Sequence, residues 1–134
     1  MDVPAIRKGL ADALTNGGVS SPVHRYIPEN VSPPCVVIGL ESFDYGEAFG
    51  GAESATFSLT VVVSGAMQVE AQKALDAYMA SSGAKSIFAA IEDDPTLGGT
   101  VDRALVTGGE APGQVQFGDR SYPALSFGVT VIVS

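Results

Sequence analysis

Ala55-Thr56-Phe57-Ser58-Leu59-Thr60-Val61-Val62-Val63-Ser64 alternates between apolar and small polar residues, and the residues after Gly65 do not. Ala55, Phe57, Leu59, Val61 and Val63 fall on one face, and Thr56, Ser58, Thr60, Val62 and Ser64 on the other. This is the pattern of a strand with one wet or interface-facing side. Past Gly65 the period changes to that of a helix. Ala71, Ala74, Leu75, Tyr78 and Met79 sit at i, i+3, i+4, i+7 and i+8, and Ser81-Ser82-Gly83 ends the run.

Toward the C-terminus, Ala84, Ile87, Phe88 and Ile91 repeat the helical spacing in a shorter helix that runs into Asp93-Asp94-Pro95. Asp94 is placed to cap one further turn with Pro95 at its first position. Val101, Arg103, Leu105 and Thr107 alternate against Asp102, Ala104 and Val106 in a strand closed by Gly108-Gly109. Leu125, Phe127, Val129, Val131 and Val133 then give the strongest strand signal of the chain. From Ser121 this segment spans roughly 45 Å at ~3.3 Å per residue, against ~20 Å for a typical strand, so part of it is expected to overhang the intramolecular sheet.

Toward the N-terminus, Asp2 is a helix N-cap candidate, followed by Ile6, Leu10, Ala13 and Leu14 on one stripe and by Asn16-Gly17-Gly18 as a stop. The proline-rich stretch from Val19 to Pro34 has room for a short edge strand within Val23 to Ile27. Cys35-Val36-Val37-Ile38-Gly39-Leu40 is a continuous apolar run, as expected of a strand buried on both faces. Ser42 to Gly51 reads as a long hairpin loop. The order of helix, strands, two helices and strands predicts an α+β domain spanning residues 1–134. Its sheet is expected to be mainly antiparallel, of about four to five strands, with helices packed on one face.

Composition narrows the function. A chain of 134 residues with 46% hydrophobic residues carries one core without needing a disulfide or metal. Charged residues make up only 16%, against an average near 25%, which leaves an exterior of small and apolar groups suited to packing against other copies. The net charge is −8 and the seven basic residues are mostly scattered, which disfavours a grip on nucleic acid. The opening Met-Asp lacks a basic and then apolar leader, and no apolar run approaches ~20 residues, so a soluble chain without a standard secretion signal is expected.

Signals of catalysis are sparse. His24 is the only histidine, so a triad or a histidine metal cluster would rest on it alone. Cys35 has no base nearby in sequence and lies in a strand expected to be buried, where a thiol behaves as a small hydrophobe. Glu92-Asp93-Asp94 is the densest acidic run, but consecutive carboxylates do not share a helix face and no calcium-loop pattern surrounds them. Solvated charge and a site both remain readings of this run, which also opposes the dipole of the helix it ends. The Gly-Gly pairs are not set in a phosphate loop or a nucleophile elbow. Phe43, Tyr45 and Phe49 lie within seven residues in a Gly-rich segment, either as an intersubunit contact or folded back on the core.

Over nearly its whole length the chain resembles the tail terminator (tail completion, or head-tail joining) proteins of long-tailed bacteriophages, especially those of phages infecting actinobacteria. The resemblance is carried by the opening helix, Pro33-Pro34-Cys35-Val36-Val37, the strand from Phe57 to Val63, and Ala71-Gln72-Lys73-Ala74-Leu75. It continues through Ser86-Ile87, Ala90-Ile91-Glu92, Asp94-Pro95-Thr96-Leu97-Gly98-Gly99 and the β-rich end. It implies a structural virion protein with no catalytic role, cofactor or metal. Such a subunit forms a ring, typically a hexamer, on the head-proximal end of the tail tube, ends tube polymerisation and presents a surface to the neck. Its partners would be other copies of itself, the tail tube protein and a neck or head-tail connector protein. It would be made in the bacterial host cytoplasm and reside in the virion, without membrane contact.

DNA would pass through the ring without specific binding, which suits an acidic lumen, for which Glu92, Asp93 and Asp94 are the candidates. Closed rings use two different, complementary patches on each subunit. Ser54 to Ser64 and Ser121 to Ser134, as overhanging strands, are expected to donate one by edge pairing. Phe43, Tyr45, Phe49, Val129 and Val131 are the candidate subunit or tube contacts. Another head-tail connector or neck protein, an unrelated small α+β binding module, and an enzyme using Cys35 or Glu92 with Asp93 are the competing readings.

Overall fold

The computed structural model describes residues 1–19, 21–46, 51–65 and 69–134. The chain is an α+β protein with helices α1 (Val3–Asn16), α2 (Val69–Met79) and α3 (Ile87–Glu92). Its strands are β1 (Val23–His24), β2 (Cys35–Asp44), β3 (Glu53–Val62), β4 (Arg103–Gly109), β5 (Gly113–Phe117) and β6 (Arg120–Val133). The strands form one sheet in the order β1-β2-β3-β6-β4, with β5 also paired to β6. Every pairing is antiparallel except β1 with β2.

Alternation along β3 and β6 sorts their side chains into two environments. Ala55, Phe57, Leu59 and Val61 of β3 and Leu125, Phe127, Val129 and Val131 of β6 join one large buried cluster. Every buried helical side chain, including Ile6, Leu10 and Leu14 of α1, Leu75 of α2 and Ile87 and Ile91 of α3, belongs to that same cluster. A smaller cluster of Cys35, Val37, Val62, Phe117 and Ala124 contains no helical residue. Each fully buried Leu, Ile, Val or Phe contributes roughly 1.5–3 kcal/mol, so the large cluster dominates stability.

Local chemistry fixes the helix ends. The Asp2 carboxylate accepts from the Ala5 N–H at 3.2 Å and starts α1. Ser86 does the same for α3: its Oγ accepts from the Ala89 N–H at 3.0 Å and donates to the Ala80 carbonyl. Where α1 ends, Gly17 lies so close to α3 that a Cβ there would fall 2.5 Å from the Ala90 Cβ.

Three expectations about the strands need correction. Ser42–Asp44 is strand, not loop, because β2 continues past an irregularity between Leu40 and Ser42 and stays paired with β3. β5 joins the sheet as a sixth strand, raising the expected count. Neither long strand overhangs. β3 is paired on both sides over Ser54–Val62, and β6 shares its length among β5, which takes Arg120–Ala124, β3, which takes Ala124–Val133, and β4, which takes Phe127–Ile132. The sheet has its free edges elsewhere. Among the described residues β4 has a partner on the β6 side alone, and β2 beyond Val37 has a partner on the β3 side alone.

Candidate functional site

The residues with catalytic potential are dispersed. Cys35 opens β2 and is fully buried among Val37, Val62, Phe117 and Ala124, and burial pushes its thiol pKa up, away from the reactive thiolate. His24 is half-buried in β1. Among the described residues no group of three or more His, Cys, Asp or Glu side chains is arranged to hold a metal ion. No helix among them is long and apolar enough to cross a membrane.

Glu92, Asp93 and Asp94 follow one another off the end of α3, with Glu92 and Asp93 exposed and Asp94 half-buried. Asp94 caps one further turn, as expected, although that turn does not extend into a helix. Its carboxylate accepts from the Gly98 N–H at 3.0 Å, and its carbonyl accepts from the Leu97 N–H at 3.0 Å. The turn is tied to the sheet by the Ala104 N–H, which donates to the Pro95 carbonyl at 2.6 Å. Leu97 is buried at φ 49°, a left-handed conformation that costs an L-residue roughly 1–2 kcal/mol. Burying its side chain, worth about 1.5–3 kcal/mol, offsets that cost. Asp-Pro-Thr-Leu-Gly-Gly therefore has a structural role in seating Leu97 against Gly9 of α1, where a Cβ would fall 2.9 Å from the Leu97 Cβ.

The face of β3 and β6 opposite the large cluster is paved with hydroxyls that pair with one another. Thr60 Oγ1 and Ser126 Oγ are 2.9 Å apart, and Thr56 Oγ1 and Thr130 Oγ1 are 3.4 Å apart. Thr107 Oγ1 donates to the Gly128 carbonyl at 3.2 Å. A shallow trough of about 510 Å³ crosses this face, bounded by Glu41 on β2 and Glu110 beyond β4. Most of its hydroxyls are engaged with one another or with the backbone, so it presents a polar surface.

Apart from Val69 at the start of α2, the exposed large apolar side chains among the described residues lie on the two flanks of the sheet. On the β2 flank, Phe43 and Tyr45 are 55% and 78% exposed, and their rings meet edge to face at 5.4 Å. Phe49 lies outside the described residues. Val129 and Val131 do not belong to any surface: both have no exposed area, because they are on the core side of β6, and a contact role for them is corrected to a core role.

Sequence reasoning missed five further exposed apolar side chains, of which Val69, 62% exposed, opens α2. Tyr26 and Ile27, 59% and 70% exposed, stand on the β1 and β2 flank, and Met79 and Phe88, 41% and 40% exposed, stand at the β4 flank. Two large apolar residues set between Arg25 and Pro28 were a legible signal. Met79 and Phe88 were not, since helical spacing places them with core residues.

Arg7 holds Tyr26 in place. From α1 it donates to the Arg25 and Ile38 carbonyls, and its guanidinium lies 4.5 Å from the Tyr26 ring centroid and 5.9 Å from that of Phe57. On the opposite flank a cleft of about 540 Å³ opens between Met79 and Phe88 on the helices and the end of β4. No protein-family model matches this chain, and no curated protein matches it at a significant level.

Proposed function

We propose that the chain is a structural subunit of a long-tailed phage, a tail terminator that assembles as a ring of about six copies on the head-proximal end of the tail tube. There it ends tube polymerisation and offers the neck its joining surface. The observation that carries this reading is the difference between the two flanks of the sheet. Each leaves a strand edge without a partner among the described residues, β2 beyond Val37 on one side and β4 on the other, and each carries exposed apolar side chains. Two unlike patches on one subunit are what a closed ring requires, because the same contact repeats head to tail until it closes.

Edge pairing remains part of the reading, transferred from β3 and β6 to β2 and β4. Glu92 and Asp93 are the exposed carboxylates available to line the hole, where repulsion of passing DNA acts within a screening length of ~8–10 Å. Electron microscopy of tail tubes assembled with and without the chain tests the proposal. Tubes of limited length bearing a ring at one end are the expected result. Unlimited tubes with no added density contradict a terminator, and density on the neck complex alone transfers the chain to the head-tail connectors.

A further inference from the structure

The sheet fixes which parts of its two flanks stand level. Ile38 pairs with Leu59, Leu59 with Phe127, and Phe127 with Gly109, so one row of partners runs from the β1 side of the molecule to the β4 side. In a ring whose axis runs along the strands, rotation preserves height. The flank level with Ile38 in one copy then faces the flank level with Gly109 in the next.

At the Ile38 end stand Tyr26 and Ile27. Tyr26 is fixed by the guanidinium of Arg7, which is itself held by the Arg25 and Ile38 carbonyls. Ile27 lies beside Gly39, where a Cβ would be 3.8 Å from its Cδ1. At the Gly109 end is the cleft walled by Met79, Phe88, Val106 and Phe127, whose single charged lining residue is Glu110.

We propose that Tyr26 and Ile27 of one copy seat in this cleft of the next copy, with Arg25 facing Glu110. The proposal rests on the ring reading and names the surface that closes it. Charge favours a second copy as the occupant. Copies carrying −8 each repel, so they meet best where opposite charges are local, and the exposed Arg25 beside Tyr26 is complementary to Glu110, the one charged residue lining the cleft.

Area favours it as well. Phe43 is level with Ala104 at the start of β4, through Ala55 and Val131, so the exposed side chains of the β2 flank are strung along the length of the β4 edge. Tyr26, Ile27, Phe43 and Tyr45 together offer roughly 500 Å² of exposed surface, taking about 200 Å² per large side chain. That is more than half of the about 800 Å² per partner that a stable interface buries. Tyrosine and arginine are both among the residue types enriched in interface hot spots.

The test uses Tyr26→Asp, which loses the knob and keeps the cleft, and Phe88→Glu, which loses the cleft and keeps the knob. Sedimentation velocity at millimolar subunit concentration should show assembly of the wild type, and each variant alone should associate about tenfold or more weakly. Mixed one to one, the variants have one intact contact between them and should form a dimer that cannot grow. Both positions are exposed, and unchanged thermal unfolding verifies that the variants fold. Arg25→Glu and Glu110→Arg form a second pair, each weakening association alone and restoring it in the same chain. Variants that assemble like the wild type overturn this surface and leave the ring standing. A one-to-one mixture that remains monomeric overturns head-to-tail docking, and a wild type that remains monomeric overturns both the surface and the free ring.

Discussion

Gly17 at the end of α1 and Ala90 in α3 are in backbone-to-methyl contact: a Cβ at Gly17 would fall 2.5 Å from the Ala90 Cβ and 2.8 Å from its Cα. The glycine is there for proximity, since its φ of −76° is open to any residue. Gly17→Ala should destabilise the chain by about 1–3 kcal/mol through overpacking. Gly113→Ala, with nothing within 4 Å of the added methyl, should change stability by no more than about 0.5 kcal/mol. Urea unfolding of the two variants checks the contrast.

Leu97 separates backbone strain from burial. Leu97→Ala keeps the left-handed backbone unfavourable while removing buried area, and should cost about 2–5 kcal/mol. Leu97→Gly removes slightly more side chain but relieves about 1–2 kcal/mol of strain at φ 49°. The glycine variant should therefore be as stable as the alanine variant or more so, as read by thermal unfolding. A glycine variant clearly less stable than the alanine variant would refute the account of this turn.

Cys35 contributes to the alkaline loss of stability. Burial raises its pKa in the folded chain above that of the unfolded chain, so the neutral thiol favours folding and the thiolate opposes it. Stability is complete below the ordinary thiol pKa near ~8.5 and falls as pH rises above it toward the folded value. Cys35→Val should remove this contribution to the alkaline loss. A thiol probe should label native Cys35 only as fast as the chain opens, and rapid stoichiometric labelling at neutral pH would revive the reading of Cys35 as a nucleophile.

Val129 and Val131 are tests of the core. Val129→Lys or Val131→Lys places an ammonium among fully buried apolar side chains and should cost several kcal/mol, enough to unfold a chain of ordinary stability. His24→Ala, at a half-buried position in a two-residue strand, should leave unfolding nearly unchanged. Circular dichroism distinguishes the two outcomes, and a folded Val129→Lys monomer would show that the strand is not the core element described.

Much of the architecture was written in periodicity. The alternation in β3 and β6, the stripe of α1 with its Asp2 cap, and the change of period after Gly65 all correspond to observed elements. What periodicity concealed has local causes. The irregularity between Leu40 and Ser42 breaks the alternation of β2, so its second half resembled a loop. β5 buries only Phe117 fully and is held by its pairing with β6, leaving almost no apolar pattern to read. The length of β6 was legible, but not that three strands divide it.

The candidate surfaces were less legible for a similar reason. Tyr26 packs against Arg7, far away in sequence and reaching across from α1, and no spacing rule links the two residues. Phe88 follows Ile87 in a helical run that reads as core, yet only Ile87 of the two is fully buried. The Glu92-Asp93-Asp94 run and a turn capped by Asp94 were both legible, whereas the left-handed backbone that seats Leu97 within that turn was not.

Native mass spectrometry of the full chain, alone and after incubation with tail tubes, tests the structural reading most directly. A closed ring of identical subunits, free or bound to one tube end, is the expected mass. A single 13.7 kDa species that stays unassociated in both conditions would contradict it.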